Sequence, residues 1–119
     1  MSNIFAFAET RGGELRRAAL EAVTAARQTA DQIGGEVRVL IAGAPGIAAH
    51  APRLAAHGAD VVLVVEHEAF THYNPEALAT TLAAGLAKNY RAAFFSASAQ
   101  GKDLAPRVAA KLKVALAKC

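Results

Sequence analysis

The sequence predicts an α/β domain in which a parallel sheet is covered by helices on both faces, a three-layer α/β/α arrangement. Three observations carry this. Four short apolar runs begin near residues 3, 37, 61 and 92. A helical segment follows each run, so the order is β-α-β-α-β-α-β-α, the alternation expected of parallel strands joined by right-handed crossovers. The third run, Val61-Val62-Leu63-Val64-Val65, is continuous and β-branched, as expected of a strand buried on both faces. At 119 residues the chain reads as one domain, residues 1–119.

The first strand is Ile4-Phe5-Ala6-Phe7-Ala8. Gly12-Gly13 then eases a turn. Leu15, Ala19, Ala22, Ala26, Ala30 and Ile33 follow in steps of three and four, the stripe of an amphipathic helix. Gly34-Gly35 supplies its left-handed stop. The second strand is Val37-Arg38-Val39-Leu40-Ile41-Ala42. Pro52 would break a long helix begun at Gly46, so the reading is a loop through Ala51 and a short helix from Pro52 to His57, stopped by Gly58. After the third strand, Asn74 can cap a helix, Pro75 suits its first position and Glu76 its dipole. Leu78, Leu82, Leu86 and Tyr90 form the apolar stripe of that helix. The fourth strand is Ala92-Ala93-Phe94-Phe95. Asp103 is read as the cap of a last helix, with Leu104, Val108, Leu112 and Ala115 facing in and Pro106 in the first turn. The sequence ends in helical pattern at Val114–Cys119, where another strand would be expected to follow.

Apolar residues are 54% and charged residues 19%, which excludes a wholly disordered chain. No apolar stretch approaches the 18 residues of a membrane helix, and the start lacks the pattern of a signal peptide. The single cysteine, Cys119, excludes an internal disulfide framework and a cysteine-based zinc cluster. About a quarter of the residues are Ala and none is Trp, so each helix buries little area and modest stability is expected. The net charge of +3 is unevenly spread, because residues 88–119 hold seven of the thirteen basic side chains and one of the ten acidic ones. The lysines Lys111, Lys113 and Lys118 lack the interleaved aromatics of a nucleic-acid surface and read as a solvated helix face.

In such sheets ligands bind beyond the carboxyl ends of the strands. The loops there run from Glu9 to Gly13, Gly43 to Gly46, Glu66 to Asn74 and Ser96 to Asp103. The last is the most suggestive, because it joins a strand to a helix. A phosphate loop needs G-x-x-x-x-G-K-[ST], and here only Gly101 and Lys102 match. Ser96 replaces the first glycine, and Asp103 replaces the magnesium-binding hydroxyl and would repel a phosphate. Ser96, Ser98, Gly101 and Lys102 are the candidates if this loop holds a nucleotide; a plain helix start capped by Asp103 is the other reading. Neither Gly12-Gly13 nor Gly43-Ala44-Pro45-Gly46 fits the dinucleotide fingerprint. Glu66-His67-Glu68 and His72 have no helical i, i+4 histidine pair and predict no metal site. His50 and His57 are isolated. No catalytic constellation is legible.

Several ordered stretches resemble the N-terminal domain of the alpha subunit of electron transfer flavoprotein. They are Ala8-Glu9, Leu20–Arg27, Gly34–Leu40, Gly58–Val64 and Gly101-Lys102-Asp103-Leu104-Ala105-Pro106-Arg107-Val108-Ala109-Ala110. Together they run from residue 3 to about residue 116. The resemblance implies an adenine-nucleotide alpha hydrolase-like (Rossmann-like) fold, akin to universal stress proteins. It implies a scaffold that packs against the beta subunit of a heterodimeric electron carrier. That carrier would take electrons from acyl-CoA and related dehydrogenases, as in fatty acid β-oxidation, to a membrane quinone reductase. The FAD would be held mainly by a C-terminal domain absent from this sequence, so no flavin contact is carried onto any residue here. The location implied is the bacterial cytoplasm or the mitochondrial matrix. The rival reading is a small nucleotide-binding module of stress-protein type.

Overall fold

The computed structural model describes residues 3–86 and 90–112. Strand β1 is Asn3–Ala8, and a small antiparallel hairpin follows, with β2 at Thr10–Arg11 and β3 at Glu14–Leu15. Helix α1 is Arg17–Ile33 and β4 is Glu36–Gly43. A 3-10 turn, Ile47–His50, runs into α2, Ala51–Ala56. Strand β5 is Val61–Glu66, a second 3-10 turn covers Glu68–Phe70, α3 is Pro75–Leu86, β6 is Ala92–Phe94 and α4 is Ala99–Leu112.

The main sheet has the order β5-β4-β1-β6, and every pairing in it is parallel. Alternate residues of β1 and β4 feed two cores. Ile4, Ala6, Val37, Val39 and Ile41 meet Ala19, Val23, Ala26 and Ala30 of α1 and Leu54 of α2. Phe5, Phe7, Leu40 and Ala42 meet Leu78, Ala79 and Leu82 of α3 and Leu104 and Val108 of α4. The predicted three layers are present, with α1 and α2 on one face and α3 and α4 on the other. Tyr90 closes the second core edge-on to Phe5, with ring centroids 5.4 Å apart.

Several expectations are met locally. Gly34 takes the left-handed conformation (φ 75°) and ends α1. Asn74 Oδ1 accepts from the Ala77 N–H at 3.2 Å, the bond of an N-cap. Gly12 and Gly13 both have positive φ, as a two-residue hairpin turn requires.

Other expectations are corrected. Val61–Val65 is an edge strand, with Val64 38% exposed; the strands buried on both faces are β1 and β4. An unbroken apolar run reports two apolar faces, and it does not report whether a neighbour lies beside them. The stripe of α1 is centred on Ala19, Val23, Ala26 and Ala30, while Leu15 belongs to β3 and Ile33 is 40% exposed. Residues 47–51, read as a loop, are a 3-10 turn and the first residue of α2, with Pro52 in the first turn of α2, where its missing N–H leaves no carbonyl unserved. Finally, α4 starts at Ala99, four residues before the predicted cap, so Asp103 lies inside it and Pro106 sits well past its first turn. Ala115, Lys113 and Lys118 lie outside the described residues.

Candidate functional site

The carboxyl ends of β1, β4 and β6 open into a cleft of about 550 Å³. Its floor is apolar, with Phe7, Ala42, Phe70 and Leu78. The hairpin of β2 and β3 forms one wall and carries Arg11 directly before the Gly12-Gly13 turn, with Arg16 just beyond β3. The hairpin is closed by the Arg16 N–H, which donates to the Glu9 carbonyl at 3.1 Å. It is also held from outside, because the His50 Nε2–H donates to the Gly13 carbonyl at 2.7 Å. The opposite wall is the start of α4, with Ser98, Ala99 and Gln100.

Glu9 stands where these walls meet. It follows β1 directly, is 3% exposed and lines the cleft. The Ser98 hydroxyl donates to Glu9 Oε1, and Ser98 Oγ accepts from the Gly101 N–H at 3.1 Å. Ser98 therefore caps α4 and anchors a buried carboxylate at once. The local sequence dictates this. A carbonyl at Ser98 accepts from the Lys102 N–H at 2.9 Å, which starts the helix there. A side chain at Gly101 would place its Cβ 1.8 Å from the Ser96 carbonyl oxygen, so only glycine lets the helix turn against the strand end.

The four predicted nucleotide candidates are not brought together. Ser98 and its neighbours Ala99 and Gln100 line the cleft. Ser96 is 6% exposed and does not line it, and its hydroxyl has no partner among the described residues. Gly101 is buried as a packing glycine, and Lys102 is exposed on α4 away from the cleft. Glu9, which the sequence placed at the head of the loop from Glu9 to Gly13 with no role of its own, is the cleft's buried acid. The available signal was an acid placed directly after a strand with no exposed position.

A loop over the cleft is latched to α4. The Tyr73 hydroxyl donates to Asp103 Oδ2 at 2.5 Å, and Arg107 bridges Asp103 at 3.1 Å and Glu76 at 2.7 Å. Loss of solvent around the phenol, and then the Asp103 carboxylate, hold Tyr73 above the usual phenol range. The Tyr73 hydroxyl and then Arg107 hold Asp103 below the usual carboxylate range. Asp103, expected to cap, is instead this latch.

Two of the residues read against a metal site, Glu66 and His67, have other work. Glu66 Oε2 accepts from the N–H groups of Gly46 at 2.8 Å and Ala48 at 3.3 Å, and His67 Nδ1 accepts from the Ala69 N–H at 3.0 Å. Among the described residues no group of three or more potential ligands gathers around one point.

A parallel sheet covered by helices on both faces, with a cleft at its carboxyl edge, defines an open α/β domain of Rossmann-like type. The model of the electron transfer flavoprotein domain matches residues 4–118, and the chain belongs to that family. A FixB protein of Clostridium saccharobutylicum is 38% identical over 117 residues, which are 95% of this chain and 34% of that protein. An electron transfer flavoprotein alpha subunit of Pseudomonas aeruginosa is 38% identical over 111 residues, covering 93% of this chain and 34% of its own length. One from Syntrophomonas wolfei is 34% identical over 118 residues, 98% of this chain and 36% of the relative. The chain thus spans about a third of the length of the curated relatives it matches. Among solved structures, a universal stress protein in complex with cAMP superposes with a TM-score of 0.53 at 18% identity, over 95% of this chain and 91% of that one, a likeness of fold.

Proposed function

We propose that this chain is the N-terminal scaffold and subunit-interaction domain of an electron transfer flavoprotein alpha subunit, an electron carrier rather than an enzyme. The observation that carries the reading is the match of the family model over residues 4–118, together with relatives that are alpha subunits. In this role the domain pairs with a beta subunit and holds it so that a flavin bound elsewhere stays within electron-transfer distance. The carrier would serve acyl-CoA and related dehydrogenases and pass electrons on to a quinone reductase. Its work would be done in the bacterial cytoplasm or mitochondrial matrix. Among the described residues no helix is long and apolar enough to cross a membrane.

FAD supplies the redox chemistry of such a carrier, and the residues of this cleft do not fit it. Its pyrophosphate is an anion and is disfavoured by like charge, and here a buried carboxylate stands before the start of α4. This supports the reading that the flavin is held outside this domain. Purified chain titrated with FAD is expected to leave gel filtration colourless. Fused to the remainder of an alpha subunit and co-expressed with a beta subunit of the same family, it is expected to elute as a heterodimer. Micromolar FAD binding by the chain alone would overturn the scaffold reading.

The stress-protein-like fold and the cleft itself favour one second reading, a nucleotide-binding module. Calorimetry with ATP, ADP and AMP separates the two, and heat of binding would favour the module. Lys102 lies away from the cleft, so Lys102→Ala is expected to change nothing in either case.

A further inference from the structure

The sheet order places β1 beside β6, and the helices that follow these two strands lie on opposite faces. That is the point in a parallel sheet where a crevice opens and an anionic ligand is ordinarily met. The cleft here has the volume for a small ligand, at about 550 Å³. Room is not what shapes its selectivity.

We propose that Glu9 is the specificity-determining residue of this cleft, a built-in carboxylate that occupies the anion's place and excludes phosphate-bearing ligands. Three observations support this. Glu9 is 3% exposed yet lines the cleft, so its charge is directed inward and weakly screened. Its bond from Ser98, which itself accepts from the Gly101 N–H, fixes the carboxylate against the start of α4. The rest of the cleft favours anions: Arg11 and Arg16 line it, and neither makes an ion pair with a described residue. One side chain therefore opposes two guanidinium groups, and removing it leaves a cleft whose arginine charges are unopposed.

This goes beyond the scaffold reading, because it concerns selection by the cleft and holds whichever subunit the domain pairs with. Like charge within a few ångströms in a partly desolvated site disfavours a phosphate, and the neutral variants remove that term while keeping the arginines. Glu9→Gln retains the size of the side chain, and Glu9→Ala also opens space.

The experiment follows the amide ¹H–¹⁵N signals of Ala99, Gln100 and Gly101 while inorganic phosphate, and separately AMP, is added to the chain and to both variants. Circular dichroism reports that each is folded. The expected result is no saturable shift in the parent chain and saturable shifts in both variants, with affinity raised at least about tenfold. If Glu9→Ala fails to fold, the isosteric Glu9→Gln carries the test. Saturable phosphate shifts at these amides in the parent chain, or a folded Glu9→Gln without them, would overturn the assignment. AMP binding without phosphate binding in the variants would also overturn it, since the gain must come from the anion.

Discussion

At the amino ends of β4 and β5, Asp60 accepts from the Val37 N–H and from Arg27, each at 2.8 Å, and Arg27 reaches on to Asp31 and the Gly58 carbonyl. At the carboxyl ends of β1 and β6, Glu9 accepts from Ser98, and Ser98 from the Gly101 N–H. Each corner thus joins a strand end to a helix through an acid, Asp60 or Glu9, beside a closely approached glycine. The acid of the first corner is 43% exposed and paired with a guanidinium. The acid of the second is 3% exposed and has no ion-pair partner among the described residues. A solvated, paired acid joins elements together at little desolvation cost. A buried unpaired one is expensive, and the fold keeps it where it faces a cleft.

The sharpest way to break this contrast is at the glycines. Gly101→Ala drives a Cβ to 1.8 Å from a backbone oxygen, so strand and helix must separate; a loss of about 3 kcal/mol or more is expected in urea unfolding. Gly58→Ala meets the Arg27 side chain at 2.8 Å, its Cβ included, and carries the strain of φ 121°, but strikes no backbone oxygen, for a smaller loss of about 2 kcal/mol. Equal losses at the two sites would mean that the carboxyl corner is as yielding as the amino one.

A second contrast lies in the donors. Ser98→Ala removes the cap of α4, worth about 1 kcal/mol, and leaves a buried carboxylate without its donor, for a total of about 2 kcal/mol. Asp60→Ala strips an acceptor from Val37 and Arg27, but at an exposed site where water replaces it, and about 1 kcal/mol is expected. Thermal unfolding of the two variants should rank them in that order. A reversed order would remove the distinction between the corners.

The sequence made the layers and two helix boundaries legible because their signals were local. Asn74-Pro75 and Gly34-Gly35 act on their own neighbours, and the structure keeps both. The start of α4 was not legible, because Ser98 and Asp103 are both competent caps. Gly101 in a first turn and Pro106 in a helix interior both argue locally for the later start. Packing of Leu104 and Val108 against the sheet, with Gly101 against Ser96, outweighs those preferences. The edge position of β5 depends on strand order, which no stretch of residues encodes by itself. Glu9 escaped notice for the same reason. Its partner is 89 positions away, and only the pairing of β1 with β6 brings the two together.

The smallest expected effect tests the exposed corner alone. The Val37 N–H bond holds Asp60 below the usual carboxylate range; burial opposes it, and Arg27 adds to the lowering. A carboxylate whose pKa is depressed in the folded state binds its proton more readily when unfolded. Its contribution to stability is therefore complete above the unfolded value, about 3.9, and is lost as pH falls through the lower folded value. Asp60→Asn keeps an oxygen for the Val37 N–H and removes only the charge. Unfolding midpoints of parent and variant should differ slightly at neutral pH, and the gap should narrow below about pH 4 and shrink with added salt. A gap that stays constant down to pH 2 would show that the Asp60 charge contributes nothing. The corner would then be held by the hydrogen bond to β4 rather than by the ion pair with Arg27, and the contrast with Glu9 would rest on burial alone.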